Sequence, residues 1–232
     1  MTIRSNYDLM QMHVHALYIH DSRSRIVSVN DWNGGSVPRF FLGRTMQGNV
    51  WRFRQDLPEG ICKELESFFE AEPFSLSEQP RFESEYVRIL SEHAPVESKW
   101  FGSAFWFPKH AETPSEPVSI DTNNSYLLKE SMPDWLLDVS HQQPFVARVV
   151  SGQAVAVCAS VRITDAAHEA GVETLEIHRR KGYAVSVVRS WASAVEERGA
   201  IPLYSTSFNN IGSQNVAARL GLSRYGVDFD IS

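Results

Sequence analysis

This chain of 232 residues has few cysteines, no long apolar run and fewer basic than acidic residues. Its two cysteines, Cys62 and Cys158, are too few for a disulfide framework and lack the CxxC spacing of a metal or redox motif. No run approaches about 18 apolar residues, and the opening MTIRSNYDLMQMHVH has no apolar signal-peptide core. Neither membrane spanning nor export is indicated, and a reduced, cytoplasmic protein is expected.

Charge and composition narrow the classes of partner. The 22 basic and 28 acidic residues give a formal net charge of −6, so nucleic acid and anionic membranes are not expected partners. A hydrophobic content of 43% is ordinary for a globular protein with a sizeable core, in one large domain or two small ones. The sequence leaves open a homodimer.

Residues 1–112 are rich in aromatic residues and turn signals, which predicts an α+β segment. Two amphipathic patterns predict helices in LPEGICKELESFFEAEP and PRFESEYVRILSEH. Four short patterns predict strands: HALYIH, RIVSV, PRFFLG and NVWRFR. The proline-rich stretch PKHAETPSEP then reads as a surface linker. We therefore predict an N-terminal α+β extension over 1–112 and a second domain over 113–232.

The second segment predicts alternating strands and helices. It opens with SYLLKESMPDWLLDV, which is partly helical, and then the dipeptide Ser151-Gly152 joins two strands in a hairpin. The later elements follow in the order strand, helix, strand, helix, strand: HEAGVET, YAVSVVRSWASAVEERG, IPLYSTS, NIGSQNVAARLG and LSRYGVDFDIS. This order predicts an α+β fold with a mixed central sheet and helices packed on it.

The heptapeptide HRRKGYA stands between the strand HEAGVET and its helix. A helix N-terminus has unpaired N–H groups and a partial positive charge, so adding the cations Arg179, Arg180 and Lys181 there is unfavourable unless an anion binds. Gly182 lets the backbone approach such an anion closely. The stretch lacks the spacing of a Walker A loop and the GxGxxG of a dinucleotide fold.

The order of elements and three motifs resemble the GNAT superfamily of acyl-CoA-dependent N-acyltransferases. Arg179–Ala184 matches the superfamily's Gln/Arg-x-x-Gly-x-Gly/Ala, Asn210–Ser213 matches its Asn-x-x-Ala/Ser, and Leu220-Gly221-Leu222 matches its closing apolar-Gly-apolar element. The resemblance covers about residues 118–232. Within the superfamily, the sequence looks most similar to the branch that includes antibiotic self-resistance acetyltransferases. It implies a GNAT-type mixed sheet flanked by helices.

The resemblance also implies acetyl-CoA as acyl donor, with no metal. In the superfamily the fourth and fifth strands splay apart and the pantetheine arm lies between them. The implied cofactor-binding residues are those of the fourth strand, the motif loop and the next helix start: Val172, Glu173, Thr174, Arg179, Arg180, Lys181, Gly182, Tyr183, Ala184, Val185, Asn210 and Ser213.

The familiar catalytic groups of the superfamily are missing here. Many members carry an acidic tyrosine seven residues after the motif asparagine and some a base five residues before it, positions held here by Ala217 and Ser205. The replacement expected first is Glu173, as base or amine-binding group, the alternative being a sheet-edge carboxylate paired to Arg162 or Arg179. Further candidates are the bases Glu169 and His168 and the acid Tyr204, whose phenol has core packing as its alternative role.

Two other features have a functional and a structural interpretation. His13-Val14-His15 and His20-Asp21 would offer metal ligands on one face of a strand, but no cysteine accompanies them and a half-exposed strand is the simpler reading. The aromatic residues Trp100-Phe101 and Phe105–Phe107 could line a substrate cleft, with core packing as the alternative.

The resemblance implies an N-acetyltransferase that uses acetyl-CoA, and we expect its acceptor to be a primary amine of a small molecule, with the N-terminal extension shaping the acceptor site. The rival hypothesis is a catalytically silent acyl-CoA-binding sensor or scaffold, which Ser205 and Ala217 suggest.

Overall fold

The computed structural model describes residues 4–108 and 117–232, so most of the expected linker PKHAETPSEP lies outside the described residues. The α-helices α1 to α5 are Asn6–Leu17, Glu59–Ala71, Glu83–His93, Tyr183–Glu197 and Ile211–Leu220. The strands β1 to β11 are Tyr18–His20, Ile26–Val29, Phe40–Thr45, Gly48–Phe53, Lys99–Trp106, Val118–Ser119, Phe145–Val150, Gln153–Ile163, Ala167–Thr174, Ile201–Ser207 and Ser223–Ile231. The 3₁₀ helices are Ser125–Leu128, Pro133–Trp135, Asp138–Ser140 and Glu176–His178.

Contacts divide the chain into two compact units. The first unit runs as far as Phe105 and also takes Ser205–Ile211 and Arg224–Ser232. The second unit comprises Trp106–Tyr204 and Gly212–Ser223. The end of the chain therefore belongs with the first unit, whereas the sequence-based division into 1–112 and 113–232 stays a prediction about domains.

In the first unit β4, β3, β11 and β5 lie side by side in that order, and the pairs β4–β3 and β3–β11 are antiparallel. Strand β11 pairs with β3, so that Val227 faces Arg44 and Ile231 faces Phe40. Helices α2 and α3 bury their apolar stripes against these strands, where the Phe40 ring lies 5.0 Å from Phe69. Both helices were predicted correctly from their spacing of apolar residues.

Helix α1 corrects one prediction, since HALYIH was expected to be a strand. The helix starts at a capping box, in which the Ser5 hydroxyl accepts from the Asp8 amide and the Asp8 carboxylate accepts from the Ser5 amide. Only Tyr18–His20 is extended. His13 and His15, two positions apart on a helix, do not share a face, so the strand-based arrangement of metal ligands is wrong.

The second unit is a mixed sheet with helices packed on it, as predicted. Strands β6, β7, β8 and β9 pair antiparallel, while β10 pairs parallel to β9. Helix α4 packs on β7, β8 and β9 through buried residues that include Val188, Trp191 and Val195. The 3₁₀ segments between β6 and β7 join a separate apolar cluster with residues of β7 and β8. The Cys158 thiol is buried within β8, as expected.

Candidate functional site

The loop between β9 and α4 adopts the backbone conformation that its glycine permits. Gly182 is the residue before the helix and has φ +83°, in the left-handed region that L side chains rarely adopt. Arg180 also has a positive φ, of 63°. These two positive-φ residues, separated by Lys181, turn the chain from Glu176–His178 into α4, so that a 15-residue helix begins at this loop.

The amides of this loop are unsatisfied. The first N–H of α4 that donates a backbone hydrogen bond is that of Ser186, which bonds the carbonyl of the N-cap residue Gly182 at 3.1 Å. Within residues 4–108 and 117–232, the N–H groups of residues 180–185 donate no hydrogen bond to the protein. A cluster of free N–H groups at the positive end of a helix dipole is the backbone arrangement that binds phosphate.

Several cations surround these amides. The Arg179 Nε donates a long hydrogen bond of 3.4 Å to the Thr174 carbonyl, whereas Arg180 and Lys181 are exposed and form no ion pair within the described part of the chain. A Cβ at Gly182 would lie 3.7 Å from Nη2 of Arg219, near the end of α5, and would meet nothing else within 4 Å. Arg219 is likewise exposed. Sequence reasoning missed Arg219, because no local pattern connects α5 with this loop.

Tyr183, the first residue of α4, has two basic neighbours. The guanidinium of Arg148, on β7, lies over the Tyr183 ring at 5.2 Å from its centroid. The His178 imidazole stacks on the same ring at 6.2 Å, with an angle of 29° between the planes. Tyr183 is thereby held between β7 and the preceding 3₁₀ turn, and Arg148 adds positive charge that the motif alone does not reveal.

Strand β9 presents part of its backbone to an unpaired edge. Its parallel register with β10 covers only Ala167, His168 and Glu169, although β9 continues to Thr174. On its other side the Leu175 N–H bonds the Val155 carbonyl, and the antiparallel register extends this pairing to Glu173 opposite Val157. Because such hydrogen bonds alternate along a strand, the N–H and C=O groups of Val172 and Thr174 point away from β8. This open edge is the feature expected where a pantetheine arm would lie.

The Glu173 side chain has a partner that the sequence did not indicate. Its Oε2 accepts a 2.5 Å hydrogen bond from Nε1 of Trp135, in the 3₁₀ turn Pro133–Trp135, rather than the arginine partner considered from sequence. Trp135 is fixed edge-on against Phe145 at 5.6 Å. A Cβ at Gly171, between Glu169 and Glu173 on the same strand face, would lie 3.2 Å from the Trp135 ring. Glu173 is therefore exposed to solvent, and its carboxylate is held in one orientation by the hydrogen bond from Trp135.

The alternative bases are less accessible. Glu169 is only 2% exposed and His168 only 5%. The His168 Nδ1 lies 2.8 Å from the Ser160 hydroxyl, which also accepts a 2.9 Å hydrogen bond from Trp191 Nε1. Burial lowers the pKa of His168, with a smaller effect from the Arg198 charge. These contacts give His168 a structural role beneath α4.

Two of the candidate residues, Tyr204 on β10 and Ser213 on α5, form a hydrogen bond with each other. The Tyr204 hydroxyl lies 2.5 Å from the Ser213 hydroxyl and is buried, 2% exposed. Burial raises the pKa of Tyr204 to about 12, partly offset by the hydrogen bond with Ser213. Asn210 directly precedes α5, as predicted, and Ala217 is buried within that helix.

The histidines near the N-terminus do not form a metal-ligating group. His15 and His20 contact each other with ring centroids 4.9 Å apart, and burial together with the His15 and Arg52 charges lowers the pKa of His20 to about 4. A neighbouring guanidinium is unfavourable for a bound metal ion. Across the described ranges, no group of three or more His, Cys, Asp or Glu residues is arranged to hold a metal. The helices in those ranges are also too short or too polar to cross a membrane.

Solved structures with limited likeness to this chain include three bacterial proteins. A putative GNAT-family acetyltransferase from Novosphingobium aromaticivorans is 15% identical over 59% of this chain and 65% of its own, with a TM-score of 0.49. A GCN5-related N-acetyltransferase-like protein from Streptococcus suis is 16% identical over 84% and 85% of the two chains, also at 0.49. A GNAT-family acetyltransferase from Colwellia psychrerythraea is 12% identical over 100% and 99%, again at 0.49.

Among curated proteins, none matches this chain. A family model described as GNAT acetyltransferase matches residues 146–226, about a third of the chain. The match includes the open edge of β9, the loop with Gly182 and the whole of α4 and α5. Residues 146–226 thus carry the sequence signature of the GNAT acetyltransferase family.

Proposed function

We propose that this protein transfers an acetyl group from acetyl-CoA to a primary amine of a small molecule. The observation that carries the proposal is the set of unsatisfied amides at residues 180–185, surrounded by the cations Arg180, Lys181 and Arg219. Although the chain has a net charge of −6, several cations lie together at the N-terminus of α4. A pyrophosphate is a ligand that uses both the N–H groups and the charges.

The proposed reaction is direct attack of a free amine on the thioester. A C–N bond forms, the C–S bond breaks, and the thiolate leaves and takes up a proton. The amine must first lose the proton of its ammonium form, which requires a base. Glu173 is the proposed base, because its carboxylate is exposed and held by Trp135 beside the open edge of β9. Glu169, buried on the same face, is the second candidate.

Tyr204 remains the proposed acid for the leaving thiolate. A pKa of about 12 keeps its phenol protonated at neutral pH. The same shift makes full proton donation less favourable than from an ordinary phenol, because a thiol is a much stronger acid. Within this proposal Tyr204 therefore acts mainly as a hydrogen-bond donor, with Ser213 as its partner in the free protein.

The role of Arg219 provides a graded test of the anion site. We expect Arg219→Gln to weaken acetyl-CoA binding by about 3- to 10-fold, because one exposed charge-assisted contact is lost. The loss should shrink as salt is raised from 50 to 500 mM, since salt screens exposed charges. Arg224→Gln, which removes an exposed arginine of β11, is the control and should leave affinity unchanged in calorimetric titration. Equal affinities for Arg219→Gln and Arg224→Gln would exclude Arg219 from the site.

The catalytically silent sensor remains the second candidate, favoured by Ser205 and by the buried Ala217 at the usual catalytic positions. Release of free thiol from acetyl-CoA, measured against a panel of primary amines, separates the two. We expect at least one amine to raise thiol release well above hydrolysis in buffer. Saturable acetyl-CoA binding without amine-stimulated release would instead establish the sensor.

Our proposal also gives residues of the first unit a part in acceptor recognition. Deleting residues 1–112 would not test this, because β11 would lose β3, its hydrogen-bonded neighbour over Val227–Ile231. Single substitutions on the first unit are the appropriate experiment. A homodimer stays a further prediction, to be decided by sedimentation.

A further inference from the structure

Strand β11 carries two carboxylates outside the matched residues 146–226. Asp228 and Asp230 alternate along the strand and share one face. Asp228 is 5% exposed, and its Oδ2 lies 3.3 Å from Nε2 of His13 on α1. Its Oδ1 is also buried but has no hydrogen-bond partner within the described residues. A buried carboxylate oxygen left without a donor is costly, so it indicates a missing partner.

Two residues of β5, Gly102 and Trp100, lie close to the buried Asp228 Oδ1. Gly102 lies beside it on β5, where a Cβ would collide with that oxygen and lie 2.7 Å from Nε1 of Trp100. The Trp100 indole nitrogen and the Asp228 Oδ1 therefore both lie next to Gly102. On β3 the register places Phe41 opposite Asp230, and the Trp100 side chain remains 40% exposed. The acidic face thus has aromatic neighbours, and one of them, Trp100, is partly exposed.

The described residues of the first unit place little positive charge at this face. Asp230 is half-buried and forms no hydrogen bond or ion pair in the described ranges. Burial, with a smaller contribution from the Asp228 charge, raises the pKa of Asp230 to about 7. Among the residues that the structure describes, the one basic group with a contact to the pair is His13, through Asp228. Two neighbouring carboxylates with a single imidazole create a site of negative potential.

We propose that Asp228, Asp230 and Trp100 bind the ammonium group of a small primary amine. An ammonium has three N–H donors, enough to reach the free oxygen of Asp228 and the carboxylate of Asp230 together. The indole face adds a cation–π contact. A divalent metal ion fits less well, because it requires six or more oxygen ligands and gains little from an aromatic wall.

The identification of this amine as the acetyl acceptor rests on the proposed function, but amine binding at this face does not. Binding is therefore measured without acetyl-CoA, by calorimetric titration of the whole protein with 1,4-diaminobutane. The uncharged 1,4-butanediol is the matched ligand control. Acetyl-CoA titrated separately into the same samples tests the proposed function on its own.

We expect saturable binding of one 1,4-diaminobutane per chain and none of 1,4-butanediol. Asp230→Asn should weaken binding at least about tenfold, while Asp165→Asn, an exposed carboxylate of the second unit, should leave it unchanged. Asp230 is chosen over Asp228 because the contact of Asp228 with buried His13 contributes to folding. Non-saturating heat, or equal affinities for Asp230→Asn and the wild type, would overturn the proposal.

The pH dependence gives a second, independent readout. The charged neighbour of Asp230 is Asp228 on the same strand, which in turn contacts His13 of α1. An ammonium must displace the proton that Asp230 retains near neutral pH. Affinity should therefore rise several-fold between pH 6 and pH 8, with proton release on binding, and Asp230→Asn should abolish both effects. An affinity independent of pH over this range would contradict Asp230 as a ligand.

Discussion

Gly182→Val is expected to weaken acetyl-CoA binding by about 100-fold or more. A β-branched residue cannot adopt φ +83° without strain, so the loop must reorganise. The nearest atom to the new Cβ would be Nη2 of Arg219 at 3.7 Å, so the conflict lies in the backbone rather than in packing. Reorganisation would disperse the amides of residues 180–185, which act only as a set. Calorimetric titration with acetyl-CoA measures the loss, and Lys181→Ala should cost far less.

The matched control is Gly152→Val. Gly152 has φ +80°, and its Cβ position is also open, but it lies in the hairpin between β7 and β8. Both substitutions introduce similar backbone strain, so both should lower the melting temperature. Only Gly182→Val should abolish cofactor binding. Wild-type affinity for Gly182→Val, or an equal loss for Gly152→Val, would refute the assignment of the loop.

Glu173→Gln is expected to lower the maximal rate about 100-fold, with the affinity for acetyl-CoA nearly unchanged. The amide oxygen of glutamine can still accept the hydrogen bond from Trp135 Nε1, so orientation is preserved while basicity is lost. The deficit should shrink as pH rises toward the pKa of the amine, because the neutral amine needs no base. Steady-state kinetics from pH 6.5 to 9.5 measure both effects.

Glu197→Gln, an exposed carboxylate at the end of α4, is the control for Glu173→Gln and should leave the rate unaltered. Unchanged turnover of Glu173→Gln at pH 7 would remove Glu173 from the mechanism and leave Glu169 or water as the base. Loss of acetyl-CoA affinity with an unchanged rate would assign Glu173 a structural role.

The sequence predicted the strand–loop–helix unit around Gly182 because its signals are local. A glycine after three cations, an amphipathic stripe through Trp191 and a second glycine after the helix each act within a few residues. The structure places Gly199, with φ +80°, directly after the last turn of α4. Helices α2 and α3 were predictable for the same reason.

Partners distant in sequence could not be predicted. Trp135 and Glu173 are 38 positions apart, and their hydrogen bond depends on how the 3₁₀ segment packs over β9. The approach of Arg219 to Gly182 depends likewise on the tertiary placement of α5. The opposite error occurred at α1, where the local capping signal of Ser5 and Asp8 was present but the β-branched and aromatic residues that follow favoured a strand.

The assignment of the loop from Arg179 to Ala184 to the phosphates of acetyl-CoA is tested most directly by amide NMR. Titration of ¹⁵N-labelled protein with acetyl-CoA should shift the amide signals of residues 180–185 most strongly, because those N–H groups donate to no other described residue before the ligand binds. The amide of Gly152, also at positive φ, should not move. Saturable binding that leaves residues 180–185 unshifted, or no binding at all, would contradict the assignment.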